Sequence, residues 1–136
     1  MSKGIREARH YIEHARNLWK AYTDTKQQME EIRETMLYPG SVDTSKDYVQ
    51  GGEIADTADQ IAKLEWYETK LREIYKQQME VEEVLQSIPN NRYCYLLHVI
   101  GIFNRPIAGT AESLGITYRV IRYQYNQALF ALAKKL

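Results

Sequence analysis

Two long stretches of this chain repeat apolar residues every three and four positions, a spacing that belongs to helices. In the first, from about Ser2 to Leu37, the series is Ile5, Ala8, Ile12, Ala15, Trp19, Tyr22, Met29 and Met36, interrupted by Lys26 and Arg33. In the second, from about Ile54 to Ile88, it is Leu64, Tyr67, Leu71, Ile74, Val81, Leu85 and Ile88, interrupted by Gln78. A narrow stripe sustained this long is a coiled-coil seam. The first stretch alone would reach about 54 Å as a helix. Pro39-Gly40 and Gly51-Gly52 bracket a polar loop, Tyr38 to Glu53, between the two stretches. That loop is long enough for the helices to fold back as an antiparallel hairpin, and self-association through the same stripes is equally allowed. The Trp and Tyr residues on the stripes are expected in the core. No segment keeps strand-like alternation. The expected fold is therefore all-α: a long antiparallel helical hairpin, a coiled coil over residues 1–88 with its loop at 38–53, then a helix-turn-helix module over 89–136.

Charge separates the two parts. The net charge is zero, yet residues 1–88 hold 12 Lys+Arg against 17 Asp+Glu, while residues 89–136 hold six Lys+Arg against Glu112 alone. A basic end of this kind points to a polyanionic partner; mutual attraction of the two ends is the plainer alternative. No apolar run approaches the ~20 residues of a membrane span. The first residues are amphipathic and lack the apolar block of a signal peptide. Cys94 is the one cysteine, which excludes an intramolecular disulfide and a cysteine-built zinc site. The chain reads as a cytoplasmic protein with no metal, no cofactor and no membrane partner.

The last 48 residues change rhythm. Pro89, Asn90 and Asn91 break the second stripe, and three shorter helices follow. The first, about Arg92 to Phe103, has Tyr93, Leu96, Leu97 and Ile100 on its apolar face. The second starts at Pro106, which suits a first helical turn, and ends at Leu114-Gly115, where Gly suits the residue after a helix. Thr117 then caps a third helix, about Tyr118 to Lys134, with Ile121, Tyr125, Ala128, Leu129 and Leu132 buried. A short helix, a tight turn containing Gly and a longer helix form a helix-turn-helix pattern. The other face of the third helix carries Tyr118, Arg119, Arg122, Tyr123 and Asn126 without an acid. Arg bonds guanine bidentately, Asn does so with adenine, and Tyr reaches phosphates. These five, with Arg105 ahead of the second helix, are the candidate DNA contacts; a merely solvated face is the alternative for the same residues.

Pro89, Arg92 and Tyr93, then Ala111, Leu114, Gly115 and Thr117, then Ile121, Ala128, Leu129 and Leu132 together resemble the C-terminal module of small phage and prophage transcriptional regulators of the RinA/ArpU-like type. That module is similar to sigma-factor region four. The resemblance covers about a third of the chain. It implies a sequence-specific DNA-binding regulator in a bacterial host cell, with double-stranded DNA as partner and the hairpin serving homo-oligomerisation or contact with RNA polymerase. The chain departs from the family at Gly109-Thr110, where the family has Glu-Ile. A degenerate motif of this kind suits the other reading: a phage-encoded interaction protein, an inhibitor of a host protein or a packaging component. Eleven tyrosines favour an interface in either case.

Other constellations are weak. His10 and His14, one turn apart with Glu7 nearby, use a spacing seen in zinc sites but have no further ligand cluster. His98 sits among apolar residues and reads as a packing histidine. Cys94 has no nearby base to activate it. Gly51-Gly52 lacks the Lys-Ser/Thr of a phosphate-binding loop. Nothing in the sequence points to an enzyme.

Overall fold

The computed structural model describes residues 4–37 and 50–136, with side chains described over 4–37 and 57–136. The chain is all-α, and no strand occurs among the described residues. Helix α1 is Ile5–Leu37 and α2 is Gln50–Gln86. Helix α3, Asn91–Leu96, continues without a break as a π-helical segment, Leu97–Ile102. Helices α4, Ile107–Leu114, and α5, Tyr118–Ala133, complete the chain. No described helix is long and apolar enough to cross a membrane.

Three local features differ from the sequence expectations. First, α2 starts at Gln50, so Gly51 and Gly52 are helical and not part of the loop; the rest of that loop, 38–49, lies outside the described residues. Glycine costs a helix only about 1 kcal/mol, which a helix this long absorbs.

Second, the buried line on α1 slips by one position. Ala8, Ile12 and Ala15 are buried as the heptad requires, but the line continues through Leu18, Thr25 and Met29. Trp19, expected in the core, is 41% exposed. The slip explains the two interruptions: with Thr25 and Ile32 facing inward, Lys26 and Arg33 are exposed. Third, the regular helix expected over 92–103 widens at Leu97. Phe103 N–H bonds the carbonyl of His98 at 2.9 Å, five residues back, and Arg105 N–H bonds that of Val99 at 3.0 Å. Asn104, at φ 56°, then turns the chain out of the helix.

By contact the chain forms two compact units, one of residues 1–20 and 76–136, the other of residues 21–75. This grouping does not follow the 88/89 division read from Pro89. Hydrogen bonds tie the start of α1 and the end of α2 to the C-terminal helices. Arg16 donates its Nε–H to the carbonyl of Gly101 at 2.8 Å, and the Cys94 thiol donates to the carbonyl of Leu85 at 3.0 Å. The core of the first unit holds Leu85, Leu96, Leu97, Ile121, Leu129 and Leu132, all fully buried. Each contributes about 1.5–3 kcal/mol relative to exposure. In this unit Tyr11 of α1 lies close enough to Glu80 of α2 to feel its charge. In the second unit, Arg33 of α1 reaches Glu68 of α2 at 3.9 Å.

Candidate nucleic-acid interface

Each joint of the α4–α5 pair is encoded locally. Pro106, extended at φ −61°, leads into α4, and the Thr110 hydroxyl donates back to its carbonyl at 2.9 Å. At the far end Gly115 takes the left-handed conformation, φ 70°, and Ile116 N–H bonds the carbonyl of Ala111 at 3.1 Å. This closes the orphan carbonyls of the last turn, and only Gly accepts that φ without strain. Thr117 is extended, and its hydroxyl oxygen accepts the N–H of Val120 at 3.2 Å, which caps α5. The connection is thus three residues, Gly115 to Thr117, held by a cap on each side. Leu96, Ile100, Ala111 and Ile121 form a buried cluster, with Ile107, Leu114, Ile116 and Tyr125 packed on it. This fixes α5 against α4 and α3.

Helix α5 is divided along its length. Its C-terminal half buries Ala128, Leu129, Leu132 and Ala133, whereas its first six residues bury Ile121 alone. Tyr118 is 50% exposed and Tyr123 is 64% exposed, and Arg119, Val120 and Arg122 are exposed with them. The Arg122 guanidinium lies 5.7 Å from the centroid of the Tyr118 ring, one turn before it. That contact holds the guanidinium beside the exposed ring. Asn126 is half-buried on the same outer side, followed one turn later by exposed Phe130. Five of the six sequence candidates therefore share one helix face.

Arg105 does not join them. It precedes α4, an eight-residue helix whose other end meets the turn, so it stands about 12 Å of helix rise from that turn. There it lines a shallow pocket with Tyr95, Val99, Pro106 and Gly109.

Arg92 was not among the sequence candidates, yet its Nη1 donates to Gln124 Oε1 at 3.3 Å and so reaches a flank of α5. The separation in sequence between these residues hid this. Tyr125, one turn beyond Arg122, has its hydroxyl pushed up by burial, an effect opposed by the positive charges of Arg16 and Arg9 on α1.

His98 and Cys94 make contacts within the fold. His98 places Nδ1 2.7 Å from the carbonyl of Cys94 and Nε2 2.8 Å from Glu82 Oε1, which ties the π-helical segment to α2. The Cys94 thiol is pushed up by burial and by Glu82, the opposite of an activated thiolate. Among the described residues no three His, Cys, Asp or Glu side chains converge on a metal-sized site. Comparison with protein-family models, with curated proteins and with solved structures finds no match to this chain.

Proposed function

We propose that the chain is a DNA-binding transcriptional regulator that reads duplex DNA with the first half of α5. The observation that carries this reading is the division of α5. An acid-free, solvent-facing N-terminal half with Tyr118, Arg119, Arg122 and Tyr123 stands on a buried C-terminal half. A recognition helix enters the major groove by its N-terminal residues and is held from behind by its partner helices. The compact unit that contains α5 has 12 Lys+Arg against 6 Asp+Glu, which favours a phosphate backbone. The resemblance of residues 89–136 to phage and prophage regulators supports the same conclusion. With it come a site of action in the bacterial cytoplasm, homo-oligomerisation through residues 1–88, and contact with RNA polymerase. Exposed Phe130 and Tyr123 on the α5 face favour the second reading, a protein-interaction module on the same scaffold.

The test is selection of bound duplexes from a random-sequence library, followed by titration of the selected and a scrambled duplex. The wild-type chain is expected to enrich one sequence. An Arg119→Ala/Arg122→Ala variant is expected to lose about 1–3 kcal/mol per base contact on the selected duplex and less on the scrambled one. Equal affinity of this variant and the wild type would move the assignment to the protein-binding reading.

A further inference from the structure

Arg6, Arg9, Arg16 and Lys20 recur on one face of α1, with Glu13 the single acid among them, because steps of three, seven and four residues return to the same side of a helix. The sequence puts these cations in its acidic part. The fold puts them in the same compact unit as α5.

The junction is defined by contacts around Gly101. Its carbonyl accepts the Arg16 Nε–H at 2.8 Å. A Cβ placed on it would lie 2.7 Å from Ile12 Cγ2 and 3.4 Å from the Tyr125 hydroxyl. Arg16 is therefore held beside Tyr125, and Tyr125 follows Arg122 by one turn and Tyr118 by two. Because Arg16 spends its Nε on the carbonyl, its two terminal nitrogens are left for another acceptor. Arg9 and Lys20, two turns before and one turn after Arg16, are exposed. Arg9 is near enough for its charge to act on Tyr125.

We infer that this face of α1 is a second part of the duplex-binding surface, in which Arg9, Arg16 and Lys20 bind backbone phosphates while α5 occupies the groove. The inference rests on the reading of α5 as the recognition helix. The division of labour follows from chemistry. Cations on a helix flank neutralise phosphates and carry no base information. They act on affinity and salt dependence and not on sequence preference.

The experiment titrates the full-length chain with a mixed-sequence duplex of about 30 base pairs, some three helical turns, at several salt concentrations. The variants are Arg9→Ala, Lys20→Ala, both together, Glu13→Gln, and Arg119→Ala/Arg122→Ala. Each lost phosphate contact is expected to lower the log–log salt slope by about 0.9, which is about a fivefold loss of affinity near 0.15 M salt. The loss should be the same on selected and scrambled duplexes. Glu13→Gln should bind more tightly than the wild type, a gain that damaged folding does not produce. If Arg9→Ala/Lys20→Ala keeps the wild-type slope while Arg119→Ala/Arg122→Ala loses binding, α1 lies outside the interface and the reading of α5 stands. If the wild-type chain binds no duplex, both fall.

Discussion

The Tyr125 hydroxyl sits above its ordinary value of 10.0 because burial disfavours the phenolate, and Arg16 and then Arg9 offset only part of this. A folded-state value above the unfolded one means that the contribution to stability is complete below pH 10 and is lost as pH rises through the folded value. Tyr125→Phe removes the titrating group and keeps the ring that packs on the Leu96 and Ile121 cluster. Urea midpoints measured from about pH 9 to about pH 11 should fall less steeply in this variant than in the wild type. The alkaline loss should not vanish, because Tyr11 and Cys94 are shifted the same way by burial. An identical alkaline slope in the two proteins would mean that Tyr125 is not buried in the folded chain. At this scale the sequence was legible where neighbours along the chain decide the outcome. Thr117 as a cap and Gly115 as a left-handed residue needed only their own turn. Arg92 beside Gln124 and Arg16 on Gly101 depended on the tertiary fold, and no local pattern announces them.

Helices were legible from periodicity, but the exact face and pitch were not. The spacing of apolar residues placed α1 and α2, and the Pro106, Gly115 and Thr117 signals placed α4 and the start of α5, close to their observed bounds. It could not say that the seam on α1 would choose Leu18 over Trp19, because both positions satisfy a three- or four-residue step from Ala15. Packing decided: Leu18 is buried, and Trp19 turns outward to meet Phe103 edge-on, ring centroids 5.3 Å apart. The π-helical segment was equally hidden. Its Gly101 admits Ile12 of α1, and the contact joins residues far apart in the chain. Two helical glycines therefore make opposite predictions. Gly101→Ala puts a methyl against a buried β-branched side chain and should cost about 1–3 kcal/mol of stability. Gly109→Ala meets nothing within 4 Å on an exposed side of α4, and should gain about 0.5–1 kcal/mol by lowering the entropy of the unfolded chain. Chemical denaturation of both variants checks the pair. Equal effects would mean that Ile12 does not pack on the π-helical segment.

Across the whole chain, charge follows the contact units more sharply than it follows the sequence. The unit with α5 has 12 Lys+Arg against 6 Asp+Glu, and the unit of residues 21–75 has the reverse, 6 against 12. A division at residue 88 blurred this, since the cations at the start of α1 belong with the C-terminal helices. The acidic unit also keeps apolar groups at its surface: Trp66 is 60% exposed, with Tyr75 and Ile61 exposed as well. Self-association through this part of the chain, proposed here as the role of residues 1–88, has to work against the excess of acid on each copy. Salt then acts in opposite directions on the two proposed interactions. Screening weakens like-charge repulsion between acidic units and leaves apolar burial intact, so association should strengthen from about 0.05 M to about 0.5 M salt. Binding to DNA should weaken over the same range. Light scattering at high micromolar concentration is expected to show the mass rising with salt in the wild type, and to show a monomer at every salt concentration in Trp66→Glu/Tyr75→Glu. Those side chains are exposed, so the variant should melt within about 0.5 kcal/mol of the wild type. A wild type that stays monomeric at both salt extremes, or a double variant that associates as strongly as the wild type, would remove this surface from the account of how the chain assembles.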